Sequence, residues 1–164
     1  MDAIEALKTR RSIRAYTERA VAREVIEDLV DCGRLAATGR NVQPWEFIVI
    51  TEAATRNRLA QLAPNGPFIA VAPVCIAVVC REETYYIEDG AAATQNILLA
   101  AHAHGLGACW VAGDKKPYAD EVRRILGAPD GYKLLSLIPI GYTQERPSPP
   151  GKRPLTDVIH WEQF

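Results

Sequence analysis

The densest run of chemistry-bearing side chains is Arg10-Arg11-Ser12-Ile13-Arg14, with Lys8 before it and Arg19 after. Three guanidinium groups and a hydroxyl within five residues can wrap one phosphate through charge-assisted, partly bidentate hydrogen bonds. The same run also suits a solvated basic loop, because short basic motifs are weakly specific. A second basic pair, Lys152-Arg153, stands at the far end of a proline-rich stretch. Two basic clusters at opposite ends of a nearly neutral chain invite one shared anion, and the linear sequence leaves open whether they meet.

Other chemistry finds less support. Gly105-Leu106-Gly107-Ala108-Cys109-Trp110 begins like a dinucleotide-binding fingerprint, but tryptophan stands where the third glycine belongs. Its glycines also follow a helical pattern and precede a strand, the reverse of that motif, so Gly105 reads as a helix cap. His102 and His104 are two apart, on nearly opposite faces of a helix, and cannot chelate one metal together. No metal site is expected. Ser12, Ser136 and Ser148 lack the nucleophile elbow of a serine hydrolase. The acids Glu82-Glu83 and Glu88-Asp89 read as helix-start and solvated surface charges rather than a catalytic dyad.

The elements that must position these residues follow from periodicity. Helices are predicted over 3–8, over 23–38 with Gly39 as the stop, and over 53–62. Pro64-Asn65-Gly66-Pro67 is a strong turn signal. Strands are predicted over 45–51, 74–80, 108–112 and 134–142, and the continuous apolar run at 74–80 suggests cover on both faces. Residues 85–104 form a long, alanine-packed helix expected to be buried. A surface helix over 116–126 ends at Gly127, and 143–154 reads as an extended arm. Helices and strands do not alternate strictly, so the fold class is α+β with a mixed sheet flanked by helices.

The bulk composition narrows the function classes. The chain has 164 residues, 48% hydrophobic and 24% charged, which fits a single domain, 1–164. Nineteen basic and 20 acidic side chains leave a net charge of -1, against general nucleic-acid or membrane-surface binding. Cys32, Cys75, Cys80 and Cys109 are far apart and mostly within apolar runs, as reduced thiols in a cytoplasmic protein would be. The first residues show no signal-peptide pattern, and no apolar run is suited to span a bilayer.

Four segments then stand in a recognisable order: R-R-S-I-R-A-Y at 10–16; G-R-N-V-Q-P-W-E-F at 39–47; D-G-A-A-A-T-Q-N-I-L-L-A-A at 89–101 with Gly105-Leu106-Gly107 and Trp110; and Ile140-Gly141-Tyr142 with Lys152-Arg153-Pro154-Leu155. Along nearly the whole chain this order resembles the nitroreductase family. The resemblance implies a largely antiparallel sheet flanked by helices, a homodimer whose C-terminal arms are exchanged, and one FMN per site built from both chains. It implies that Arg10 and Ser12 hold the phosphate with Arg153, helped by Lys152, and that Arg11 lies along the ribityl chain. Arg14 would sit beside the pyrimidine edge of the flavin. Ala37, Thr38, Gly39 and Asn41 would come from the partner chain, Asn65 would touch the ring, and backbone N–H groups of Ala112 and Gly113 would address its reactive nitrogen.

The activity so implied is ping-pong transfer of electrons from NADH or NADPH, through the flavin, to an electron-poor small molecule such as a nitroaromatic or quinone. No catalytic side chain is required, because the cofactor carries the chemistry and Arg14 supplies electrostatic support. Alternatives are other flavin chemistry on the same scaffold (dehalogenation, ring oxidation, flavin fragmentation), a non-catalytic flavin-binding protein, or an interaction protein whose arginines bind another anion. The chain departs from the family pattern at Ala37-Thr38, where Pro-Ser is frequent, and at Phe68, where larger relatives can carry a lysine. It also lacks the long helical insertion that covers the active site in larger members.

Overall fold

The computed structural model describes residues 1–149 and 151–164. Its centre is the strand β2 (Val74–Arg81), whose alternate side chains enter two different cores. Val74, Ile76, Val78 and Cys80 face one core, while Cys75, Ala77 and Val79 face the other. This explains why the run carries no polar alternation: both faces are covered. β1 (Trp45–Ile50) pairs antiparallel with one edge of β2, and β5 (Tyr132–Gly141) with the other. The short strands β3 (Gly107–Ala108) and β4 (Val111–Ala112) both pair with β5, again antiparallel. A parallel bridge between Ser12 and Ala108 adds the N-terminal segment to the sheet's far side.

A bulge in β5 reassigns its faces. Val78 is opposite Ser136 and Val79 opposite Leu134, so Leu135 is the extra residue. Leu135, Ile138 and Ile140 therefore join the first core, and Leu134 and Leu137 the second. The expected strand over 108–112 is interrupted for a backbone reason. β3 and β4 share one register, and Cys109 N–H donates to Pro139 O at 3.3 Å. Pro139 has no N–H to return, so the ladder breaks there.

Helices cover both faces. α4 (Tyr86–Ala103) lies over the first core with α2 (Arg23–Arg34) against it, while α3 (Ala53–Leu62) and α5 (Ala119–Ile125) serve the second. α4 approaches the sheet closely at Gly90, where a Cβ would stand 2.5 Å from Leu135 Cδ2. It ends at Gly105, φ +73°, with Leu106 N–H donating to Ala101 O at 2.8 Å. That is the left-handed cap glycine adopts most readily. α2 stops at Arg34, four residues short of the predicted end at 38. Thr38 is already extended (φ -142°, ψ 140°), because its side chain is engaged elsewhere, as described below.

α1 (Ala3–Thr9) is held to α4 by a 2.8 Å contact between Thr9 Oγ1 and His102 Nε2. The C-terminal residues lie exposed, including Leu155, Trp161 and Phe164, and Pro150 within the predicted arm lies outside the described residues. Among the described residues no helix is long and apolar enough to cross a membrane. The architecture is the α+β arrangement expected, with a largely antiparallel sheet.

Candidate active site

The first basic cluster begins where α1 ends. Arg10 leaves the helix (φ -55°, ψ 134°) after donating its N–H to Ala6 O. The chain then runs extended beside β3, with Ile13 N–H on Ala108 O at 2.9 Å and the Ile13 side chain buried. A Cβ on Gly107 would meet Ile13 Cγ2 at 2.5 Å, so glycine is what lets this segment lie against the sheet. Tyr16 fastens the turn from below: its buried hydroxyl is 2.6 Å from Ile13 O and 3.1 Å from Pro139 O. Burial, more than any neighbour, pushes the ionisation of that phenol upward.

With Ile13 facing the core, its polar neighbours face outward into a cavity of about 650 Å³. Lys8, Arg10, Arg11, Ser12 and Arg14 line it from one end of the chain and Lys152 from the other. The two basic clusters therefore do meet, and among the described residues no carboxylate lines the space between them. Arg11 is the most constrained, its Nη1 donating to Lys8 O at 3.0 Å and Arg10 O at 2.7 Å. The guanidinium of Arg14 stands 5.8 Å from the centroid of the Phe68 ring. The electrostatic character registers on nearby groups. His102 is held below its ordinary pKa by burial and then by Arg10 and Arg11. Cys109 is raised by burial although Arg14, Ser12 and Arg10 pull the other way.

A shell of cations with a hydroxyl donor and no lining acid suits a phosphate monoester, and the cavity is roomy enough for more than the phosphate. The residues present fit a phosphorylated cofactor such as FMN.

The remaining predicted residues fall in other places. Arg153 does not line this cavity; its Nη2 donates to Asp157 O at 2.6 Å. Arg19 lies over the Tyr142 ring, 3.8 Å from its centroid. Ala37 and Asn41 are exposed on a loop set apart from the cavity lining, with Thr38 and Gly39 between them half-buried. Asn65 is exposed in the turn that follows α3. Ala112 is exposed and its carbonyl accepts from the Tyr118 hydroxyl. Gly113 donates its N–H to Leu135 O at 2.8 Å. A Cβ there would come within 2.8 Å of Leu134 O, so packing against the bulge accounts for this glycine.

Asp89 lies in the first turn of α4, as a helix-start charge does, but it is not a solvated surface group. It is 4% exposed, and its carboxylate accepts from Thr38 Oγ1 at 2.7 Å and Gly39 N–H at 3.0 Å. Thr38 Oγ1 in turn accepts from Gln43 N–H at 3.0 Å, and Arg40, Asn41 and Gln43 all have positive φ. This loop is thus a tight, carboxylate-anchored structure. Helical spacing could have found the acid, since 89, 93, 97 and 101 share the buried stripe of α4. Among the described residues no group of three or more His, Cys, Asp or Glu is placed to hold a metal ion.

The model of the nitroreductase family matches residues 7–73 and 64–142. A protein of Methanothermobacter thermautotrophicus, provisionally named an NADH dehydrogenase/NAD(P)H nitroreductase, is 37% identical over 174 residues, covering 100% of this chain and 88% of its own. The NADPH-flavin oxidoreductase of Vibrio harveyi is 26% identical, over 98% of this chain and 74% of its own. The solved structure of an FMN-dependent nitroreductase from Clostridium difficile superimposes with a TM-score of 0.91 at 30% identity, covering 98% of this chain and 99% of that one.

Proposed function

The chain belongs to the nitroreductase family, and on that premise we propose that it is an NAD(P)H-dependent flavin oxidoreductase that holds FMN in the cation-lined cavity. The observation that carries this reading is the meeting of Arg10, Ser12 and Arg14 with Lys152 around one space. In this reading the whole of 1–164 acts as one FMN-binding domain. Arg10, Ser12 and Lys152 hold the phosphate, with Arg153 joining them once the C-terminal arm is docked. Arg11, already fixed by two carbonyls, lies toward the ribityl chain. Arg14 presents a cation at the ring edge, and Asn65 and the Ala112 backbone stand at the ring.

When bound, FMN supplies the redox chemistry, taking hydride from NADH or NADPH and passing electrons to an acceptor such as a nitroaromatic or quinone. The chain's own part is to bind, orient and neutralise charge, so no nucleophile or metal is called for.

Two observations support a homodimer with exchanged arms. The loop carrying Ala37, Thr38, Gly39 and Asn41 stands away from the cavity of its own chain. The exposed tail residues Leu155, Trp161 and Phe164 match in character an apolar groove of about 460 Å³ lined by Ala6, Leu7, Leu35 and Leu99. A partner's arm in that groove would cover both surfaces. Four unpaired cysteines support a reducing, cytoplasmic setting.

The test is chemical. Cofactor released by heat from the purified protein should have the mass of FMN, and the bound flavin should bleach anaerobically with NADH or NADPH. Recovery of FAD, or no flavin after reconstitution, overturns the assignment. Bleaching without turnover of any nitro, quinone or halogenated acceptor would leave a flavin-binding protein.

A further inference from the structure

Glu145 joins the two ends of the chain that supply the cavity. It follows β5 at the start of the segment leading to Lys152, and its Oε2 accepts from Arg14 N–H at 2.9 Å and from Ala15 N–H at 3.0 Å. One carboxylate oxygen thus serves two successive backbone donors 131 and 130 residues away in sequence. Its own N–H donates to Thr143 Oγ1 at 2.9 Å, which turns the side chain back toward the N-terminal segment. Arg14 and Ala15 are exposed, beyond the bridge to Ala108, so these two N–H groups have left the sheet. The side chain substitutes for the missing strand partner.

We propose that Glu145 is a positioning residue for the phosphate cradle, setting the Arg10–Arg14 segment and the Lys152 segment at the spacing one phosphate can bridge. This rests on reading the cavity as the FMN phosphate site. The argument turns on sign. A carboxylate near an anion site repels the anion, so by charge alone its presence weakens phosphate binding. Glu145 does not line the cavity; it faces the backbone and takes its two donors there. Its removal should therefore loosen the cradle even though it deletes a negative charge, and a phosphate-bearing ligand should lose more than one that meets only Arg11 and Arg14.

The full-length protein, stripped of flavin, is titrated with FMN and with riboflavin, and the ratio of the two dissociation constants is the readout. Wild type should prefer FMN. Glu145→Ala should lower that preference about tenfold, the scale of losing a charge-assisted hydrogen bond, with riboflavin affinity, which depends on Arg11 and Arg14 alone, falling less than FMN affinity. Glu145→Gln, which keeps an accepting oxygen but no charge, should retain most of the preference.

An alanine variant that binds FMN as well as wild type, or a glutamine variant that prefers FMN more strongly than wild type, overturns the proposal. Equal losses for both flavins in Glu145→Ala also overturn it, because the role would then be general stability. If the alanine variant fails to fold, the glutamine variant alone decides by that same sign. A wild type that shows no preference for FMN over riboflavin overturns the reading of the cavity itself, which separates the two failures.

Discussion

The carboxylate of Asp89, in the first turn of α4, accepts a 2.7 Å hydrogen bond from Thr38 Oγ1. With the Gly39 N–H on its other oxygen, it ties a loop with three positive-φ residues to the rigid central helix. Asp89→Ala leaves a half-buried hydroxyl and a backbone N–H without their buried acceptor. It should cost about 2 kcal/mol, the scale of hydrogen bonds to a charged group lost from a buried site. Asp89→Asn, which still offers one oxygen, should lose less. Urea unfolding midpoints check this, and an alanine variant as stable as wild type would show that the loop does not depend on the acid.

The buried thiols make the protein sensitive to alkali. Burial pushes Cys75 and Cys80 up from an ordinary 9.0 to about 12. Between those values the unfolded chain loses these protons while the folded one keeps them, so stability falls as pH rises through that window. The slope is about 1.4 kcal/mol per pH unit for each thiol. Unfolding measured between pH 8 and pH 10.5 should fall more gently in Cys75→Ala than in wild type, whatever the variant's absolute stability. Equal slopes would place the thiol in a wetter setting than its burial implies.

Much of the fold was legible because its patterns are local. The alternation that splits β2 between two cores reads as one apolar run, and Gly105 marks the end of α4 without help from tertiary contacts. What escaped was relational. Asp89 looked like an ordinary helix-start charge until Thr38 and Gly39, far behind it in sequence, were folded against it. Likewise local spacing carries α2 on to 38, because nothing local says that Thr38 turns its hydroxyl to a distant acid. At Gly113, only the bulge at Leu135 shows which carbonyl its N–H meets within the chain. The resemblance ranks Arg153 before Lys152 at the phosphate, whereas within this chain Lys152 lines the cavity and Arg153 does not.

Kinetics test whether one flavin face serves both substrates. Initial rates at several fixed NADH or NADPH concentrations, with a quinone or nitro acceptor varied, should give parallel double-reciprocal lines. Intersecting lines would mean that donor and acceptor occupy the site together.

Assembly tests the exposed tail. The protein should sediment as a dimer at micromolar concentration, and removal of 155–164 should release monomers that lose flavin. A flavin-retaining wild-type monomer would show that the loop carrying Thr38 and Gly39 is not borrowed from a partner.

The last prediction separates two jobs for arginine in one cavity. Arg10 and Arg14 both line it, but only Arg14 also stands near an aromatic ring, with Phe68 at 5.8 Å from its guanidinium carbon. In the proposed reading Arg10 meets the phosphate, whose charge is the same before and after reduction. Arg14 meets the ring edge, where negative charge accumulates in the reduced state. Arg10→Ala should therefore weaken FMN binding and barely move the reduction potential. Arg14→Ala should weaken the reduced complex more than the oxidised one and lower the potential. A differential loss of about 1.4 kcal/mol corresponds to about 30 mV for a two-electron couple. Each variant is reconstituted with excess FMN and titrated for potential, with Lys152→Ala and Arg153→Ala beside them. Lys152→Ala should behave like Arg10→Ala, and Arg153→Ala should do so only if arm docking brings that side chain to the phosphate. Equal shifts in Arg10→Ala and Arg14→Ala, or a shift in Arg10→Ala alone, would mean that the flavin ring lies elsewhere along the basic segment.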